Sequence, residues 1–82
     1  MIKKIGKIGL CLESELIALF IQMANKFTSK ISITKENKVA NAKSIMGLIS
    51  LDLVNGEYIT LSAAGEDADV AIMELAGFLK IE

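Results

Sequence analysis

The sequence predicts an α+β domain: a four-stranded antiparallel sheet with three helices on one face, in the order β-α-β-β-α-β-α. Three observations lead there. The segment Ser14 to Phe27 carries an apolar face too wide to leave to solvent, and only a sheet would cover it. Tyr58 to Ala64 alternates with the period of a half-buried strand. Between them, two more strand-like stretches are joined by turn residues, as in a hairpin. Residues 1–82 are read as a single domain, because a chain of this length supports one modest core.

A first strand over Ile2 to Ile8 is expected in spite of its periodicity, since Ile2, Ile5 and Ile8 recur every third residue rather than every second. In the helix from Ser14 to Phe27, Leu16, Leu19, Phe20, Met23 and Phe27 crowd one side, with Ile17, Ile21 and Ala24 beside them. Ser14, Ala18, Gln22 and Asn25 form a narrow opposite stripe. Ile31 and Ile33 then alternate with Ser32 and Thr34, and Lys35-Glu36-Asn37-Lys38 reads as the turn of a hairpin returning through Val39 to Ala42.

Ser44 stands immediately before apolar residues at helical spacing, so it reads as the N-cap of a short helix ending near Val54. Asn55-Gly56 is a turn pair that tolerates positive φ. In the strand that follows, Ile59, Leu61 and Ala63 face one way and Tyr58, Thr60 and Ser62 the other. Gly65-Glu66-Asp67 breaks it and sets carboxylates beside the positive end of the next helix. That last helix runs to about Lys80, with Ile72, Leu75, Ala76 and Leu79 on one face and Gly77 weakening it slightly.

Composition narrows the function. A hydrophobic share of 52 %, no proline and nearly balanced charge describe an ordered globular protein. A net charge of −1 gives no long-range attraction to nucleic acid or to anionic membranes, so neither is an expected partner. The lone Cys11 has no internal disulfide partner, which fits a reducing cytoplasm. The apolar run Leu16 to Ala24 is interrupted by Gln22 and preceded by Glu13 and Glu15, unlike a leader or a spanning helix, which needs about 20 apolar residues. A soluble cytoplasmic protein is expected.

Catalytic chemistry finds little support in the residues. The chain has no histidine. Cys11 therefore lacks that partner base for nucleophilic work, and Asp67 and Asp69 lack the additional oxygen ligands of a calcium loop, so they read as a helix cap and solvated surface. Glu13 and Glu15 have the spacing to complement a helix dipole, their plainer role beside that of a paired-carboxylate site. No metal, cofactor or enzymatic activity is expected. Ser44 offers a hydroxyl where an added phosphate would meet the positive end of a helix. Some of Ile45, Met46 and Ile49 must face solvent on so short a helix.

The run Asn41-Ala42-Lys43-Ser44-Ile45-Met46-Gly47-Leu48-Ile49-Ser50-Leu51 resembles the regulatory-serine region of the HPr phosphocarrier proteins of Gram-positive bacteria. There the pattern is Lys-Ser-Ile-Met-Gly followed by an apolar-Ser-Leu run. Gln22 to Phe27 is similar to the end of that family's first helix, and Gly56 to Gly65 to its fourth strand and following loop, so the likeness spans about residues 12–80. It implies the HPr-like open-faced sandwich. The family carries a phosphoryl group on a histidine in a Gly-apolar-His-Ala-Arg-Pro motif at the start of the first helix. Without a gap, the register sets Glu13 at the histidine, Ser14 at the alanine, Glu15 at the arginine and Leu16 at the proline. With a two-residue insertion, Gly9-Leu10-Cys11 takes the Gly-apolar-His place instead. Either register removes histidyl phosphate transfer, and the two carboxylates would repel a phosphate.

What the resemblance implies is a regulatory protein of the phosphotransferase system, similar to the Crh type that lacks the histidine and keeps the serine. An HPr kinase/phosphorylase would modify Ser44, and the product would bind a catabolite-control transcription factor. By the same resemblance, Ile45, Met46 and Ile49, with Ser14, Glu15, Ala18 and Gln22, would form the partner surface. Glu15 stands where the family's arginine contributes to partner binding, so it bears on that second step. The alternatives are a diverged paralogue, acting as a structural or interaction protein with a rebuilt surface, and a carrier that accepts phosphate on Cys11 or Glu13.

Overall fold

The computed structural model describes residues 1–81. Its elements are β1 (Ile2–Lys7), α1 (Ser14–Ala24), β2 (Lys30–Lys35), β3 (Lys38–Asn41), α2 (Ile45–Leu51), β4 (Tyr58–Ala64) and α3 (Ala68–Leu79). The strands form one antiparallel sheet in the order β1-β4-β2-β3. Three helices cover one face and leave the other open, as the sequence predicts.

Strand β4 carries the sheet because both its edges are paired and its covered face is wholly apolar. Ile59, Leu61 and Ala63 are buried there beside Ile31 and Ile33 of β2, and they meet Phe20, Leu48, Leu75 and Leu79 from the three helices. Phe20 and Phe78 meet edge to face, their centroids 5.7 Å apart, the preferred geometry for two aromatic quadrupoles. The hairpin turns through two residues, with Lys35 opposite Lys38 and Glu36 at φ 58°.

Strand β1 shows what the three-residue spacing of isoleucines does. Its register places Ile2, Lys4 and Gly6 on the covered face and Lys3, Ile5 and Lys7 on the open one. Within the strand only Gly6 is buried. Ile5 is 70 % exposed, whereas Ile8, just past the strand, is 1 % exposed in the core. Backbone pairing with β4, rather than side-chain burial, holds this edge.

Two helix ends fall earlier than the sequence suggests. Helix α1 closes at Ala24, where Asn25 caps it and Lys26 and Phe27 bond back three residues to Met23 and Ala24 in tighter turns. Helix α2 closes at Leu51 because Asp52 adopts the left-handed conformation, φ 50° and ψ 63°, which turns the chain toward the buried Leu53. Leu19 also departs from expectation, being half exposed rather than packed against the sheet.

Asp67 has a different role from the cap that its place before α3 suggests. Its side chain makes no capping bond. The carboxylate instead accepts from the Thr28 N–H at 2.9 Å, the Ser29 N–H at 3.0 Å and the Ser29 hydroxyl. This clasp ties the start of β2 to the start of α3. A side chain on Gly65 would collide with it, since its Cβ would fall 2.7 Å from Ser29 Cα, and Gly65 also takes a φ of 152°.

Candidate functional site

Helix α2 has only seven residues, too few to be stable alone, so its two ends decide whether it forms. At the front, Ser44 takes an extended conformation and its Oγ accepts from the Gly47 N–H at 3.2 Å. The chain reaches that cap through Ser44 N–H donating to Asn41 O, while Lys43 Nζ donates to Phe27 O at 2.6 Å. Gly47 matters for the room around the hydroxyl, for a Cβ there would lie 3.4 Å from Ser44 Oγ and 3.3 Å from Ala40 Cβ.

At the back, Lys35 reaches across from β2. Its Nζ donates to the carbonyls of Leu51 (2.8 Å) and Asp52 (2.9 Å), placing a cation on the negative end of the helix. The same ammonium pairs with Glu57 at 2.9 Å, and Glu57 also accepts from the Val54 N–H at 3.0 Å. The Lys35 bond first, then the Val54 N–H, holds the Glu57 carboxyl below its ordinary range.

With both ends fixed, α2 buries Leu48 and Leu51 and turns Ile45, Met46 and Ile49 outward, at 52 %, 71 % and 53 % exposure. Isolated exposed apolar residues are ordinary, but three on two turns beside a partly buried serine form a patch.

Helix α1 opens close by. Glu13 occupies its N-cap position with extended backbone, φ −83° and ψ 169°, but its exposed carboxylate makes no capping bond. Glu15 is exposed in the first turn. Cys11 is exposed in the preceding loop, where its sulfur accepts from the Asn55 N–H at 3.5 Å. Ser14 and Ile49 line a common cleft of about 280 Å³ with Leu12, Ile17 and Leu53, so the start of α1 and the apolar side of α2 share one surface. Ala18 is exposed on the same stripe. Residues four apart drift around a helix, and by Gln22 the stripe has turned to a second cleft with Leu19, Met23 and Phe78, toward α3. The expected surface is therefore joined at Ser14 and diverges at Gln22.

Among the described residues, no cluster of His, Cys, Asp or Glu side chains could hold a metal ion, and no helix is long and apolar enough to cross a membrane. The Lys35 clamp, the space left by Gly47 and the Lys43 tether were not read from the sequence. Each joins residues distant along the chain or depends on a side chain that is missing.

The chain belongs to the HPr family: residues 11–80 match the family described as "PTS HPr component phosphorylation site". It is 46 % identical over 71 residues to the HPr-like protein Crh of Bacillus subtilis, covering 87 % of this chain and 84 % of that one. It also superimposes on HPr-C-His from Thermoanaerobacter tengcongensis with a TM-score of 0.91 at 40 % identity, covering 98 % of this chain and 92 % of that one. The solution structure of Crh, "the Bacillus subtilis catabolite repression HPr", matches with a TM-score of 0.72 at 41 % identity over 95 % of each chain. This chain is thus an HPr-like protein of the phosphotransferase system that, with no histidine, lacks the histidyl phosphocarrier role.

Proposed function

We propose that the protein is a cytoplasmic regulatory binding module switched by phosphorylation of Ser44, acting in carbon catabolite control. One observation carries the reading: a partly buried serine caps α2 directly beside exposed Ile45, Met46 and Ile49, in a chain with no histidine. A phosphate on Ser44 would sit at the positive end of α2, next to an apolar patch able to bury against a partner. Similarity to Crh, named for catabolite repression in a relative's structure, supports the choice of pathway. On this reading an HPr kinase/phosphorylase modifies Ser44. The modified face, completed by Ser14, Glu15 and Ala18, then engages a catabolite-control transcription factor.

The exposed pair Glu13 and Glu15 favours a second reading of that last step. Two carboxylates make this end of α1 anionic, which suits a cationic partner and a rebuilt interaction surface. Intact mass spectrometry after incubation with a Gram-positive HPr kinase and ATP tests the proposal. One phosphoryl group, mapped to Ser44 and absent from Ser44→Ala, is the expected result. An unmodified chain, with a genuine HPr modified in the same tube, overturns it.

A further inference from the structure

The open face of the sheet is unlike the helical face in charge. Its outward positions on β1 and β2 include Lys3, Lys7 and Lys30, and the outward side chains of the four strands include no carboxylate. Where β2 meets β3, this face ends in a cleft of about 380 Å³, within the range of small-molecule sites. Thr28, Ser29, Lys30, Ser32, Asn41 and Lys43 line it.

We propose that this cleft binds a soluble phosphate monoester, distinct from any phosphate carried on Ser44. The polar groups that line it are mostly donors. Lys30 is exposed, and Lys43 is fixed by one bond to Phe27 O, leaving its other ammonium hydrogens free to donate. Asn41 Oδ1 accepts from the Lys43 N–H, which leaves the amide NH₂ as a donor. The hydroxyls of Thr28 and Ser32 add rotatable donors. Asp67, the carboxylate bonded to this region, turns to Thr28 N–H, Ser29 N–H and the Ser29 hydroxyl, and it does not line the cleft. Two ammonium groups match the charge of a phosphate monoester dianion, which forms above a pKa near about 6. A ligand of this class would make charge-assisted bonds to both lysines.

The test is a titration of the ¹⁵N-labelled chain with glycerol 3-phosphate, followed by amide shifts at fixed ionic strength set with chloride. Saturable shifts at Ser29, Lys30, Ser32, Asn41 and Lys43 are expected, with glycerol alone inert. Lys30→Met and Lys43→Met should each weaken binding about tenfold or more. Lys3→Met, two strands away on the same face, should leave it unchanged. The spectra themselves report whether each variant is folded, and Lys30→Met replaces an exposed side chain. Non-saturating shifts, an equal response to glycerol, or equal effects of Lys3→Met and Lys30→Met overturn the proposal. So does co-sedimentation with phosphatidic acid vesicles when glycerol 3-phosphate leaves the spectrum unchanged, which would assign the face to a lipid surface.

Discussion

Replacing Ser44 by alanine separates the structural role of this residue from any regulatory one. The hydroxyl accepts from Gly47 N–H at 3.2 Å, so the substitution leaves that donor unpaired at the first turn. Loss of a cap of this kind costs about 1 kcal/mol. In a domain of this size that lowers Tm by about 4–8 °C. Ser44→Asp restores an acceptor and adds a negative charge at the positive helix end, worth about 0.3–1 kcal/mol, so it should melt close to or above the parent. Ser44→Gly should fall between them, within a few tenths of a kcal/mol of the parent. Thermal unfolding followed by circular dichroism at low salt measures all three. An alanine variant melting with the parent, or an aspartate variant melting with alanine, would refute the claim that this bond holds the front of α2. The pair also serves the phosphorylation assay, because a folded Ser44→Ala rules out unfolding as the reason it escapes modification.

Acid should loosen the fold at two identified places. Bonds to Ser29 and Thr28 hold the Asp67 carboxyl below its ordinary range, and Lys35 does the same for Glu57. Both groups therefore add stability above their unfolded values near about 4, and that contribution fades as pH falls through the lower folded values. Asp67→Asn should flatten the dependence of the urea midpoint on pH below about 4, and an unchanged slope would count against the clasp. A further expectation concerns β1, which buries only Gly6. Its amides should exchange with deuterium at least about tenfold faster than those of β4, which is paired on both edges. Equal protection in the two strands would show that β1 opens only with the whole domain.

How far the sequence could be read follows from where each element gets its stability. β4 was legible because Ile59, Leu61 and Ala63 bury in strict alternation. The hairpin was legible from its turn residues, and the cap at Ser44 from its place before an apolar run. β1 was nearly illegible because pairing with β4 holds it, and Ile2 and Ile5 lie on opposite faces while Ile8 enters the core past the strand's end. Asp67 was misjudged because a carboxylate before a helix has a local partner on offer, and the stronger set lies 38 and 39 residues away. Exposed Ile45, Met46 and Ile49 were expected as a group, but the divergence of Gln22 toward Phe78 depends on how α1 lies between its neighbours. That packing is a property of the whole fold.

The clamp on both ends of α2 limits what a modification there could mean. Lys35 grips the Leu51 and Asp52 carbonyls while Ser44 closes the first turn, so the helix is held at both ends like a plate. An enzyme acting on Ser44 must accept a serine presented on a finished surface. A short peptide spanning residues 41–52 would lose the grip from β2 and with it the shape to be recognised. The message written on such a plate would be a change of charge and not of form, read only by a partner already shaped to fit.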